Sequence, residues 1–158
     1  MEKPFFTCYF NYFFGKDTFR VKKMEKIKKD CGVFLFGAAG YYLLETLWRG
    51  YSHWSMALAG GISLLAMMKV FAKLKNAPLY FKALVGGTII TMVEFLFGII
   101  FNRILGMGVW DYSNVWGNIL GQICPIYSII WCGIGFFVAL YEKLTFGGKI
   151  SFIKKALP

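Results

Sequence analysis

Residues 83–101 read ALVGGTIITMVEFLFGIIF, an apolar run whose one ionisable side chain is Glu94. A helix needs ~20 mostly apolar residues to cross the hydrocarbon core of a bilayer. Apolar and polar residues do not alternate along this run, as they would in a strand of a membrane barrel. A helix also satisfies its own backbone hydrogen bonds, which lipid cannot do. The run therefore predicts a transmembrane helix.

Three further apolar stretches, at residues 32–48, 54–71 and 119–141, predict three more transmembrane helices. The chain of 158 residues is 58% hydrophobic and 20% aromatic, and only 16% of its residues are charged. Soluble domains usually carry about 25% charged residues. We predict an all-α polytopic membrane protein, in which residues 31–143 form a four-transmembrane-helix bundle.

The lysines and arginines are divided unevenly between the two sides of this predicted bundle. Of the 18, 16 lie before the first helix, around the connection between the second and third, or after the fourth. Arg49 and Arg103 alone lie on the other side. The positive-inside rule therefore predicts a multi-pass protein of the cell membrane with both termini cytoplasmic. The net charge of +10 reflects this topology and favours contact with anionic lipid, rather than with nucleic acid.

The two predicted cytoplasmic ends have different compositions. The aromatic segment PFFTCYFNYFF and a basic run precede the first helix. Aromatic and basic side chains favour the level of the lipid headgroups. Residues 1–30 are therefore predicted to form an interfacial segment, and the alternative is that translation starts at Met24. Residues 144–158 are predicted to form a basic tail.

Two acids, Glu45 and Glu94, lie inside predicted transmembrane helices. An ionisable side chain in a membrane is costly, so it normally meets a partner, the bundle interior or water. Arg49 follows Glu45 by four residues and lies on the same helical face, which predicts an ion pair. Arg103 is the alternative partner for Glu45, or a partner for Asp111. Each glutamate either joins helix to helix or binds a substrate or ion.

Small and polar residues lie on one face of the first and of the third predicted helix, where they permit close packing and hydrogen bonds between helices. These residues are Gly37, Tyr41, Glu45 and Arg49 in the first helix, and Gly87, Thr91, Glu94, Gly98 and Asn102 in the third. We expect the two faces to pack together. The two halves of the chain are also candidates for parallel repeats.

The sequence GVWDYSNVWGN forms the connection between the third and fourth helices. Its tryptophans and tyrosine suit the membrane–water interface, and Asp111 and Ser113 can cap a turn. Asn118 and Gln122 are four residues apart at the predicted start of the fourth helix, and Pro125 is predicted to kink that helix. We predict one polar pocket open to the outer side of the membrane. Its candidate residues are Glu45, Arg49, Glu94, Asn102, Arg103, Trp110, Asp111, Tyr112, Ser113, Asn118 and Gln122.

Four sequence stretches resemble one family of small membrane proteins, the putative ABC-transporter permeases of the CmpB-like type IV group. These stretches are GAAGYYLLE, EFLFGIIFNRILG, VWDYSN and GNILGQICPIYSIIW. The resemblance covers roughly residues 32–142. In the last of these stretches the family usually has leucine after the cysteine, where this chain has Pro125 after Cys124. The resemblance implies a permease-like component of a transporter.

A permease role requires partners, because the chain contains no G-x-x-x-x-G-K-[ST] motif for ATP hydrolysis. We expect a separate ATPase subunit or a homodimer, since four short helices enclose little volume. The first alternative is a non-catalytic protein that binds lipid or holds a complex together. The second is an intramembrane enzyme using Asp111, His53 and Glu94, although no protease or hydrolase motif is present. The four cysteines form no metal-binding pattern, and no cofactor is predicted.

Overall fold

The computed structural model describes residues 5–147, with side chains for residues 21–145, and this part of the chain is helical with no strand. Its helices are α1 (Phe5–Arg49), α2 (Trp54–Lys73), α3 (Leu79–Phe97) and α4 (Pro125–Glu142). A π-helical segment, Gly98–Ile104, continues α3, and another, Lys143–Gly147, continues α4. The prediction of an all-α membrane protein is confirmed, because all four helices are long and apolar enough to cross a membrane.

The four candidate spans run alternately up and down. They are Val21–Arg49, Trp54–Lys73, Leu79–Ile104 and Pro125–Thr145. The long connection between the third and fourth spans, residues 105–124, is named the outer loop after its predicted side of the membrane, and its side of the bundle is the loop end. The opposite side, where α2 is connected to α3, is the lysine end. The prediction that the lysine end is cytoplasmic stays a prediction.

The helices form two hairpins. α1 packs on α2 and α3 packs on α4, while α2 joins the hairpins by contacts with α3 and, less extensively, with α4. Met67 and Phe71 of α2, Ile90 of α3 and Ala139 of α4 form one cluster of the apolar core. Large apolar side chains such as Phe36, which is 76% exposed, lie on the outside. Such exposed apolar faces are expected where lipid replaces water.

Glycines let the helices of each hairpin approach closely. A Cβ atom added to Gly37 of α1 would lie 2.7 Å from the carbonyl oxygen of Gly60 in α2. One added to Gly135 of α4 would lie 2.7 Å from the carbonyl oxygen of Ala83 in α3. The expectation that the small faces of α1 and α3 pack on one another is therefore wrong. Short connections make sequential helices neighbours, so the glycines of these faces pack within their own hairpin.

The fourth helix begins later than predicted. Residues 119–124 are not helical, and Pro125 is the first residue of α4, so the predicted kink is wrong. Proline suits the first helical position, because its missing N–H would have no partner there. Gly117 and Gly121 have φ values of 71° and 69°, and Leu120 has a φ of 55°. These left-handed conformations exclude a regular helix before the proline.

The predicted ends of the chain are only partly described. α1 is one continuous helix from Phe5, without a break at residue 30. The side chains of residues 1–20 and all of residues 148–158 lie outside the described part. The interfacial N-terminal segment and the basic C-terminal tail therefore stay predictions.

Candidate functional site

Three predicted residues attach the outer loop to α3. The Asn102 Nδ2 atom donates hydrogen bonds to the Trp110 carbonyl oxygen at 2.9 Å and to Gln122 Oε1 at 2.7 Å. Asn102 Oδ1 accepts from the Val109 backbone N–H at 2.6 Å. The Trp110 indole donates to the Gln122 carbonyl oxygen at 3.0 Å, and both of these side chains are buried. This network joins the beginning and the end of the loop.

Three further predicted residues shape the exposed turn of the outer loop. Asp111 Oδ1 accepts from the Ser113 backbone N–H at 2.8 Å and from the Ser113 hydroxyl at 2.5 Å. These bonds stabilise the charged carboxylate and lower the pKa of Asp111 below its ordinary value. Asn118 donates to the carbonyl oxygens of Ser113 at 3.1 Å and Val115 at 2.8 Å, and accepts from the Gly121 N–H at 3.0 Å. These side chains bond within the loop.

The predicted pair of Glu45 and Arg49 is confirmed. Arg49 donates to one carboxylate oxygen of Glu45, and the Ser52 hydroxyl donates to the other. Arg49 also donates to the Val109 carbonyl oxygen at 3.3 Å, which links α1 to the outer loop. Arg103, the alternative partner, is exposed and donates to the Leu120 carbonyl oxygen at 3.0 Å. Among the described residues, Arg103 forms no ion pair with an acid.

Glu94 is buried, with 3% of its surface exposed, and aromatic side chains hold both of its oxygens. The Tyr112 hydroxyl of the outer loop donates to Oε1 at 3.2 Å, and the Trp131 indole of α4 donates to Oε2 at 2.8 Å. Burial, and next the negative charge of Glu94, raise the pKa of Tyr112 well above its ordinary value. Tyr112 therefore keeps its proton and acts as a hydrogen-bond donor to Glu94.

An aromatic row extends from Tyr112 to α1. The rings of Tyr112 and Tyr127 stack with centroids 4.7 Å apart, and those of Tyr127 and Trp131 are 6.3 Å apart. Tyr41 of α1 lies 5.7 Å from Trp131. Sequence reasoning did not include Tyr127, Trp131 or Tyr41 in the site. Tyr127 and Trp131 are four residues apart in α4 and so share a face, which was the available signal.

A cavity of about 200 Å³ lies beside this row, between α1 and α4. We call it the α1–α4 cleft. It is lined by Tyr41, Leu44, Glu45, Trp48 and Arg49 of α1, by Tyr112 of the outer loop, and by Tyr127, Ile130, Trp131 and Ile134 of α4. Three of these residues are partly outside the bundle: Leu44 is 56% exposed, Trp48 75% and Ile130 44%. The cleft therefore opens sideways, between the two hairpins.

The structure separates the eleven predicted site residues into three groups. Glu45, Arg49 and Tyr112 line the α1–α4 cleft, and Glu94 bonds to two of its lining side chains. The second group comprises Asn102, Trp110 and Gln122, which attach the loop. The third group comprises Arg103, Asp111, Ser113 and Asn118, which bond within the loop or to its backbone.

The alternative prediction of an enzyme used His53, Asp111 and Glu94 as acids and bases, and each of these side chains has different hydrogen-bond partners. His53 caps α2, because its Nδ1 accepts from the Ser55 N–H at 3.3 Å. Asp111 bonds to Ser113, and Glu94 bonds to Tyr112 and Trp131. In the part of the chain that the structure describes, no group of three or more His, Cys, Asp or Glu side chains could hold a metal ion.

The sequence matches the model of a known protein family. A protein-family model described as "Putative ABC-transporter type IV" matches residues 33–157, which include the last three candidate spans and more than half of the first. Neither the curated proteins nor the solved structures contain a match to this chain.

Proposed function

The chain belongs to the family described as "Putative ABC-transporter type IV", and from this membership we propose that it is the permease component of a membrane transporter. The family and the four apolar helices fit a multi-pass component of this kind. We place both termini in the cytoplasm, with the outer loop on the opposite side of the cell membrane. A separate ATPase subunit would supply the energy, because the sequence contains no phosphate-binding loop motif.

We assign the ligand site to the α1–α4 cleft, and the observation that carries this proposal is the position of Glu94. A carboxylate inside a membrane span is costly, and a bundle that needed only stability could place an apolar side chain there. The two side chains that donate hydrogen bonds to Glu94, Tyr112 and Trp131, also line the cleft. Movement of either side chain would expose an acceptor to a ligand. The residues proposed to bind are therefore Glu45, Arg49, Glu94 and Tyr112.

The shape of the cleft defines a ligand class. Its walls are mainly aromatic and aliphatic, with a few fixed polar groups, as in most small-molecule sites. Its opening between α1 and α4 would face the bilayer. Because a carboxylate accepts hydrogen bonds, the ligand needs a donor head group, such as an amine, on an apolar body. Such an amphipathic molecule would enter from the lipid rather than from water.

The permease role can be tested by purifying the tagged full-length chain from native membranes in a mild detergent. We expect an ATP-hydrolysing subunit to co-purify, and an unrelated four-helix membrane protein with the same tag serves as the control. ATP hydrolysis no higher than in the control, with no P-loop protein identified by mass spectrometry, would contradict the role of transporter component.

The site can be tested separately by photo-crosslinking in native membranes. A benzophenone amino acid at Leu44 lies in the cleft, whereas one at Leu43, which is 59% exposed, does not line it. We expect the Leu44 position alone to capture a discrete small molecule, and the Glu94→Gln variant to reduce that capture. Identical adducts from both positions would show that the cleft holds only bulk lipid.

The second candidate function is non-catalytic lipid binding or scaffolding of a complex. The sideways opening of the cleft favours it, since a membrane lipid is the nearest amphipathic molecule. The apolar part of the first span has no buried residue, so α1 has a free face for a second copy of the chain. Such a copy would enclose a larger volume together with the cleft. A tightly held lipid without any ATPase partner would favour this function.

A further inference from the structure

A second cavity of about 760 Å³ lies at the lysine end of the bundle, far along the helices from the α1–α4 cleft. All four spans contribute to its walls, together with the connection between α2 and α3. Its apolar part includes Val33, Leu65 and Met68. Its charged part has six lysines against two carboxylates, and these lysines are Lys26, Lys29, Lys69, Lys75, Lys82 and Lys143.

The two carboxylates of the cavity already have cationic partners. Lys69 Nζ lies 3.1 Å from Asp30 Oδ2. Lys82, whose side chain is only 4% exposed, places its Nζ 2.5 Å from Glu142 Oε2. In the described part of the chain, Lys75 forms no ion pair with a carboxylate. Lys26 and Lys143 form none there either. The cavity therefore has uncompensated positive charge around an apolar interior.

The N-terminus of α3 adds a second feature that favours an anion. Pro78 and Leu79, where the helix begins, both line the cavity. No side chain caps this end, and the first turn contains no acidic residue. The first N–H groups of a helix lack partners within the helix, and its dipole makes this end positive. Phosphate groups bind at such positions.

We propose that this cavity binds the phosphate group of an anionic phospholipid, with the lipid chains against the apolar part of the wall. A volume of about 760 Å³ lies within the usual range of ligand pockets, roughly 300–1,000 Å³. Lysine-rich pockets between membrane helices suit anionic headgroups, and the predicted cytoplasmic leaflet contains such lipids. The inference does not depend on the transporter role or on the α1–α4 cleft.

The test measures lipid retention by the full-length chain in detergent, using native mass spectrometry with added phosphatidylglycerol or phosphatidylcholine. We expect phosphatidylglycerol to be retained preferentially. A Lys75→Gln, Lys143→Gln double variant should bind it about 25-fold more weakly, since each lysine near a charged headgroup contributes roughly a factor of five. Both lysines are exposed, so the variant should fold, which size-exclusion chromatography would check.

A matched control carries Lys22→Gln and Lys23→Gln, two exposed lysines of α1 that do not line the cavity. It has the same net charge as the cavity variant and should retain the lipid like the parent. Equal losses in the two variants would overturn the proposal, because they would indicate general attraction to a basic surface. Equal retention of the two lipids would also overturn it. Displacement of phosphatidylglycerol by an equal concentration of inorganic phosphate would exclude a lipid as the source of the phosphate.

Discussion

A substitution at Gly135 tests a close backbone contact between α3 and α4. A methyl group added at Gly135 would lie 2.7 Å from the Ala83 carbonyl oxygen, 3.0 Å from Gly86 Cα and 3.1 Å from Gly87 N. All three atoms belong to the backbone, so no side chain can rotate away. Gly133, on the same helix, has nothing within 4 Å of such a methyl group. The variants Gly135→Ala and Gly133→Ala therefore form a matched pair.

The expected difference follows from the two terms that each variant changes. Both gain helix propensity, about 1 kcal/mol for glycine to alanine in a helix. Only Gly135→Ala must also separate the two helices, because carbon atoms pack best at roughly 3.5–4.0 Å. Overpacking of this kind costs about 1–3 kcal/mol. The gain in propensity cancels in the comparison, so this strain is the difference in free energy of unfolding between the variants.

Thermal unfolding in detergent would measure this difference, with the reaction of Cys124 and a thiol-reactive dye as the signal. Cys124 is buried, whereas Cys31 is exposed and Cys132 is partly buried, so Cys8, Cys31 and Cys132 should first be replaced by serine. A difference of 1–3 kcal/mol corresponds to about 2–12 °C in Tm for a chain of this size. Gly135→Ala should have the lower Tm. Equal Tm values for the two variants would show that α3 and α4 are not in backbone contact at this position.

Three further outcomes are expected. In a cysteine-free background, a cysteine at Asn114 should react with an impermeant thiol reagent on intact cells and one at Asn76 should not, and the reverse labelling would contradict cytoplasmic termini. A double-mutant cycle of Glu45→Gln and Arg49→Gln should give a coupling energy of about 0.5–3 kcal/mol in unfolding experiments, whereas additive effects would argue against the ion pair. Gln122→Leu should lower the free energy of unfolding by roughly 1–3 kcal/mol, because the partly buried amide of Asn102 would lose its acceptor, Gln122 Oε1. A Gln122→Leu variant as stable as the parent protein in chemical denaturation would contradict the loop network.

Features that depend on residues close together in sequence could be predicted. The helices follow from the length of each apolar run, which has to match the bilayer thickness. The pair of Glu45 and Arg49 follows from the helical repeat, since residues four apart share a face. The hydrogen bond that Trp131 donates to Glu94 could not be predicted in this way. These residues are 37 positions apart, and their meeting depends on the relative rotation of α3 and α4.

The side-chain amides of Asn118 and Gln122 were predicted to lie on the fourth helix, but they lie in the outer loop. Asn118 and Gln122 are four residues apart, as they would be on one helical face, and apolar residues surround them. Glycine permits a helix as well as the left-handed backbone, so Gly117 and Gly121 did not decide between the two. The structure takes the left-handed conformation at both glycines. Pro125, which was predicted to kink the fourth helix, instead begins it.

The sizes of the side chains explain why a cleft opens between the hairpins rather than inside them. Within each hairpin, glycines such as Gly37 and Gly135 bring two backbones into contact. Between α1 and α4 the facing side chains are aromatic, with the rings of Tyr41 and Trp131 5.7 Å apart. Aromatic rings keep helix axes apart and leave gaps where they do not stack, whereas glycines leave none. The glycines of the faces that sequence reasoning assigned to contact between the hairpins instead close each hairpin, whereas the polar residues of the α1 face line the cleft. The aromatic residues leave the space of the cleft, and two of them donate hydrogen bonds to the buried carboxylate of Glu94.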